Sequence, residues 1–186
     1  MTDPDQDERR FEALFRAHHR AVLGYALRRT TQPVADEVVA ETFLVLWRRL
    51  DDVPDDARPW LFGVARRCLA NAHRGAARRG ALAGRVVETT PNDAGRDPGE
   101  LIGERDLIRT AFAELSEIDR EALRLVAWEG LDTHEAARAA GCTRAAFMVR
   151  LHRARRRLGA RLAALEREAE ITGSTEADRL TLKEAT

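Results

Sequence analysis

Apolar residues recur along this chain at steps of three and four, and no stretch sustains the two-residue alternation of a half-buried strand. The spacing predicts an all-α protein. Phe11, Leu14, Phe15, His18, Val22 and Tyr25 form a first stripe. A second helix is expected over about 34–50, with Val39, Phe43, Leu46, Trp47 and Leu50 on its buried side. DDVPDDARPW reads as a loop. Pro59 then suits the first turn of a helix, because its missing N–H would have no intrahelical partner there. That helix carries Trp60, Leu61, Val64, Cys68 and Leu69 and is expected to fade between Gly75 and Gly80.

Residues 83–103 break the pattern. They mix Gly, Pro, Asn and Asp without periodicity, the composition of a linker. Helical spacing resumes near Glu104. Ser116 followed by Asp119 predicts an N-terminal cap for a helix that runs to about Glu129 and stops at Gly130. Asp132 and Glu135 repeat the device for a short helix that Gly141 stops. Thr143 can cap the last helix, expected to about residue 163, with Phe147, Leu151, Ala154, Leu158 and Leu162 along one side. After about Arg167 the pattern is lost, and residues 166–186 are expected to form a flexible or marginally helical tail. The organisation predicted is two small helical domains, 8–82 and 104–165, joined by the linker.

Charge sharpens this division. The chain carries 31 basic and 31 acidic residues, yet they are segregated. Arg58 to Val87 holds Arg58, Arg66, Arg67, Arg74, Arg78, Arg79 and Arg85 and no acid. Residues 141–162 hold Arg144, Arg150, Arg153, Arg155, Arg156, Arg157 and Arg161, again without an acid. Acidic blocks flank both, one of them in the linker with Asp93, Asp97 and Glu100. Two acid-free basic blocks point to a polyanion, and nucleic acid is the natural one. The cancellation implies that in the free chain the acidic segments compete with phosphate for the arginines, through the linker or a closed packing of the domains.

Other chemistries find no support. Cys68 and Cys142 lie far apart without partners at metal-ligand spacing, so neither a disulfide framework nor a zinc site is expected. No Gly-rich phosphate loop and no Ser/His/Asp arrangement stands at a recognisable spacing, so no enzyme is expected, and no cofactor or metal. MTDPDQDERR lacks the apolar core of a signal peptide, and no apolar run approaches the roughly 20 residues of a membrane span. The cytoplasm is the expected location.

The short helix over 132–140, the Gly141-Cys142 turn and the helix from 143 make a helix-turn-helix pattern, whose second helix enters the major groove. Arg150, Arg153, Arg157 and Arg161 share a face there, and guanidinium groups bond phosphate or guanine edges bidentately. RLHRARRRL, preceded by LSEIDREALRLVAWEGLDTHEAARAAG, resembles region 4 of bacterial sigma factors, above all the small two-domain extracytoplasmic-function class. Independently, FEALFRAHHRAVLGYALRRT resembles region 2.1, ADEVVAETFLVLWRRL region 2.2, and PWLFGVARRCLANAHRGAARR regions 2.3 and 2.4.

The resemblance implies a sigma factor, a protein that binds core RNA polymerase and directs it to promoter DNA. It implies polymerase contacts by Asp36, Glu37, Glu41, Phe43 and Leu44; the family commonly has Gln where this chain has Ala40. It implies reading of the −10 element by Trp60, Phe62, Arg66, Arg67, Asn71, Arg74, Arg78 and Arg79, with aromatic surface and phosphate contacts offsetting lost base stacking. Asn71 stands where the family often has Asp. The −35 element falls to Thr143, Arg144, Met148, Arg150, Arg153 and Arg157, with Met148 and Val149 replacing polar, DNA-facing types. An anti-sigma factor is a usual partner of the class. The competing interpretation is a free-standing helix-turn-helix regulator, which leaves the motifs over 34–80 without a role.

Overall fold

The computed structural model describes residues 4–83 and 104–184. The expected linker lies almost wholly outside the described residues, Asp93, Asp97 and Glu100 included. Seven α-helices and one 3-10 turn make up the described fold: α1 Pro4–Leu27, α2 Gln32–Arg48, the turn Leu50–Asp52, α3 Ala57–Ala83, α4 Glu104–Ala113, α5 Glu117–Ala127, α6 Thr133–Ala140 and α7 Arg144–Glu184. No strand occurs among the described residues, as the periodicity predicts. Helix α3 runs on past the Gly75–Gly80 stretch, and α7 continues to Glu184 beyond the loss of apolar pattern at Arg167.

One compact unit comprises Met1–Arg96 with Leu125–Phe147. In it α1, α2 and α3 pack on one another, and α6 packs on α3. The apolar stripes meet as periodicity dictates: Val22 and Tyr25 of α1, Val38, Val39, Phe43 and Leu46 of α2, and Leu61, Phe62, Val64, Cys68 and Leu69 of α3 are buried. Tyr25 and Phe62 stack at 5.0 Å in the centre. Trp47 departs from the expectation. It is 48% exposed, and its ring rests edge-on against Phe11 at 5.3 Å on the rim of the core. Spacing assigns a residue to a broad helix face, but only the neighbouring helix decides how far its cover extends.

The loop from α5 to α6 and the turn from α6 to α7 are built as their sequences predict. Asp132 accepts from the backbone N–H of Glu135 and of His134, and the Glu135 carboxylate accepts from the N–H of Asp132. At the far end Gly141 adopts φ 68°, a left-handed conformation that glycine takes without a Cβ penalty. The N–H of Gly141 bonds Arg138 O and that of Cys142 bonds Ala137 O, closing a Schellman motif. Thr143 Oγ accepts from the N–H of Ala146 at 3.2 Å and caps α7.

The second compact unit comprises Asp97–Arg124 with Met148–Thr186, that is α4, most of α5 and the body of α7. Ser116 Oγ accepts from the N–H of Asp119 at 3.2 Å, so half of the expected capping box forms. The Asp119 carboxylate turns instead to Arg157.

Replacing the buried Leu46 by Ala is expected to cost about 2–5 kcal/mol in urea unfolding, the range for a leucine deleted from a packed core. Trp47→Ala is expected to cost clearly less, because half of that side chain is already in water. The Asp132 carboxyl is held below its ordinary value, first by the backbone N–H of Glu135 and then by that of His134. Its folded pKa therefore lies below its unfolded one. The cap's contribution is complete above the unfolded value and is lost as the pH falls through the folded value. An NMR titration should show the Glu135 and His134 amide shifts moving at a pH below that of an unrestrained Asp.

Candidate nucleic-acid interface

The basic block of α3 is displayed along a helix. Arg67, Asn71, Arg74 and Arg78 follow one another at four- and three-residue steps, and with Arg79 all are exposed. The Arg74 guanidinium donates to Asn71 Oδ1, which joins the expected polar reader to its basic neighbours. Trp60 is half-buried near the head of the helix, with the Arg49 guanidinium 6.0 Å from its ring centre.

Two residues expected in this row stand elsewhere. Phe62 is buried against Tyr25 and offers no face for an unstacked base. Arg66 lies half-buried and donates from Nε to Ala139 O of α6 at 3.1 Å. Both belong to the side of α3 that neighbouring helices cover. Cys68, on the same side, is buried, and burial pushes its thiol pKa up, which keeps it protonated and inert.

On α7 the basic row divides in two. Arg157 is ion-paired with the buried Asp119, and Arg161 is paired with Glu114, with a second contact to Glu168 at 3.2 Å. Hydrogen bonding to Arg161 in turn holds the Glu114 carboxyl below its ordinary value. These two arginines fasten α7 to α4 and α5. Arg153 and Arg150, one and two turns earlier, have no acid partner among the described residues; Arg153 is exposed and Arg150 half-buried. Thr143 and Arg144 are exposed at the start of the helix, and Arg144 Nε donates to Thr133 Oγ at 3.3 Å. Met148 and Val149 are 50% and 51% exposed, so they form an apolar step in the middle of this surface. Phe147 and Leu151, which flank them in sequence, are buried and fix the helix rotation.

A third surface lies on α2. Asp36, Glu37, Glu41 and Leu44 are exposed, and the last three share a face. Phe43 is buried, with the edge of Phe15 at 4.7 Å, so it supports this face from beneath. Trp47, assigned to the core by its spacing, adds exposed aromatic surface on the same helix.

The structure also brings together charged residues that the sequence did not single out. Glu129, just before the Gly130 turn, is 2% exposed. Its carboxylate accepts from Arg28, with Nε at 3.3 Å, and from Arg29 Nη1 at 2.9 Å, while its backbone carbonyl accepts from Arg58. A lone Glu at a helix end carries no signal of burial. The adjacent Arg28-Arg29 pair, closing a strongly apolar stripe, was the available hint.

Among the described residues no group of His, Cys, Asp and Glu is arranged to hold a metal ion, and no helix is long and apolar enough to cross a membrane.

Known proteins share this arrangement. The family model for sigma-70 region 2 matches residues 14–79, and that for sigma-70 region 4 matches residues 105–158. Over 150 residues the chain is 33% identical to the ECF RNA polymerase sigma factor SigL of Mycobacterium tuberculosis, covering 78% of this chain and 85% of that protein. It is 32% identical over 184 residues to the RNA polymerase sigma factor NccH of Alcaligenes xylosoxydans xylosoxydans, covering 87% of this chain and 97% of that protein. Among solved structures, CnrH in complex with the cytosolic domain of CnrY superposes with a TM-score of 0.58 at 27% identity, over 84% of this chain and 90% of that one. The sigma factor RpoE bound to the anti-sigma factor NepR from Bartonella quintana has the same fold, with a TM-score of 0.65 at 24% identity, over 82% of this chain and 96% of that one.

The two kinds of arginine on α7 should separate by experiment. Arg153→Ala is expected to lower the slope of log affinity against log salt for duplex DNA by about 0.9, the share of one phosphate, with the melting temperature unchanged. Arg157→Ala should lower the melting temperature, because it strands the buried Asp119. Fluorescence anisotropy over a salt series and circular dichroism read the two effects.

Proposed function

The chain belongs to the sigma-70 family, in its extracytoplasmic-function class, and on that premise we propose how its surfaces divide the work of a sigma factor that directs transcription initiation. The family acts by binding, and we read this chain as a non-enzyme. Its place of work is that of core polymerase and promoter DNA, the cytoplasm.

The acidic and apolar face of α2 docks on polymerase. Glu37, Glu41 and Leu44 lie along one side, so basic groups of the partner can pair with the carboxylates while the leucine enters an apolar pocket. Asp36 extends the charge by one position, and Trp47 the apolar area. Phe43 sets the position of the face without touching the partner.

Promoter DNA is held at two places. The row Arg67, Asn71, Arg74, Arg78 and Arg79 on α3 follows the backbone of the −10 element, with Trp60 as the aromatic surface near its head. Thr143, Arg144, Arg150 and Arg153 on α7 hold the −35 element, and Met148 sits among them. Its apolar side chain suits the methyl group of thymine, the one apolar feature of the major-groove edge. Arg157 is bound to Asp119 and serves the packing of α7.

The observation that carries this reading is a pair of basic rows, exposed but for the half-buried Arg150, without acid partners among the described residues, each on a helix that a matched sigma-70 region supplies. We propose functional domains over 8–82 and 104–165, joined through 83–103, although in the free chain residues 125–147 pack with the first of them. Since RpoE and CnrH are seen with NepR and CnrY, we also propose an anti-sigma partner for this chain.

The direct test is run-off transcription by core polymerase with and without this chain, on the promoter of its own operon. Transcript only with the chain present supports the reading, and its absence refutes it. Reversing Asp36 and Glu41 to Arg should weaken core binding by about tenfold or more, roughly 1.4 kcal/mol or above, with helicity intact. A titration of labelled core polymerase measures this.

A further inference from the structure

Asn71 is the one uncharged side chain in the exposed row Arg67, Asn71, Arg74, Arg78 and Arg79 of α3. A guanidinium group carries N–H donors and no acceptor. The Asn71 amide oxygen is therefore the single hydrogen-bond acceptor among the side chains of the row. The Arg74 guanidinium takes it, donating from Nη2 to Oδ1. The two residues are three apart on the helix, where side chains are neighbours. Since the guanidinium cannot accept, the amide must turn its oxygen toward Arg74 and its NH2 group away. The chemistry of the neighbour thus fixes the direction of the amide. The Asn71 NH2 group has no partner among the described residues, and Arg74 has no acid partner there. What the pair shows to an incoming molecule is a set of donors.

An asparagine without such a neighbour suits adenine. It donates to N7 and accepts from the N6 amino group, and the second bond needs the amide oxygen. At Asn71 that oxygen is engaged by Arg74. Its remaining lone pair lies beside the guanidinium charge, so an amino group, positive at its hydrogens, is repelled as it approaches. Guanine offers the complement. Its major-groove edge presents O6 and N7, two adjacent acceptors with no donor between them. One N–H of the amide and one of the guanidinium match that edge. The edge is open both in the duplex and in a base taken from the stack.

We propose that Asn71 and Arg74 act as one specificity element, which selects guanine against adenine at a single position of the −10 element, with Arg74 as the residue that positions the amide. The inference rests on the sigma-factor reading, which places this row on promoter DNA. Arg67, Arg78 and Arg79 bind phosphates and set the register in which the pair meets its base. Arg74 differs from them in serving the base edge. A phosphate contact carries no sequence information, whereas a pair of donors held side by side does.

The test uses holoenzyme assembled from core polymerase and the full chain. Its templates are the promoter of the chain's own operon with the −10 segment randomised, each carrying a transcribed barcode. Transcript counts then give a base preference at every randomised position. Asn71→Ala, at an exposed site, should flatten the preference at one position, which identifies the base that the pair meets. There the wild-type chain should favour guanine over adenine by about tenfold, the discrimination of one bidentate contact. Arg74→Ala releases the amide oxygen, so it should reverse the order to adenine over guanine at that position alone. Arg78→Ala should lower transcription from all templates about equally and leave every preference as it was. A wild-type preference for adenine at that position, or no position altered by Asn71→Ala, overturns the proposal. So does a uniform loss in Arg74→Ala with preferences unchanged, which would make Arg74 one more phosphate contact. These outcomes leave the sigma-factor reading standing, because the wild-type pool is transcribed in each. A wild-type chain that supports transcription from no template overturns that reading and the specificity element with it.

Discussion

A carboxylate withdrawn from water must be paired, and the pairing of Glu129 with Arg28 and Arg29 organises much of this molecule. The glutamate sits between α5 and the Gly130 turn, and its partners close α1. Their contact therefore ties two stretches of chain about a hundred residues apart. Once it forms, the short alanine-faced α6 is brought against α3, and the Gly141 turn places the start of α7. Removing either side would leave a charge buried without compensation, which is far more costly than the loss of a surface ion pair.

Arginine is the main basic residue here, and its uses differ by location. Arg29, Arg28 and Arg58 serve the buried carboxylate and its carbonyl. Arg157 and Arg161 fix α7 to the acids of α5 and α4. Arg67, Arg78, Arg79, Arg150 and Arg153 remain without acid partners among the described residues. The same fork geometry suits a carboxylate and a phosphate, so one residue type can hold the fold and meet DNA. Zero net charge is then compatible with exposed basic rows, because other arginines take up acids in ion pairs, as those with Glu129, Asp119 and Glu114 show.

The apolar step at Met148 and Val149 gives α7 a character that its arginines alone would not. Two half-exposed apolar side chains in a basic surface offer no hydrogen bonds, so what they add is shape and apolar area. Phe147 beneath them sets the helix rotation that exposes both.

Much of this was written in local sequence. Helical period, the Asp132–Glu135 capping box, the Gly141 stop and the Thr143 cap each depend on residues within a few positions, and each stands as its spacing predicts. The basic rows were legible for the same reason, since a helix of known period fixes which residues share a side. Trp47, Phe62 and Phe43 show the limit. All three are large and apolar at helical spacing, yet one is half in water and two are buried, because exposure depends on the helix that lies opposite. Arg66 and Arg157 were legible as basic residues but not as structural ones, since their partners are distant in sequence. Glu129 itself carried no signal of burial, and only the Arg28-Arg29 pair hinted at a partner. The sequence by itself determined the helices, their ends and their charged faces, because those follow from interactions between near neighbours. Only the tertiary structure decided which charges are neutralised inside and which are left for a partner, because that depends on contacts across a hundred residues of chain.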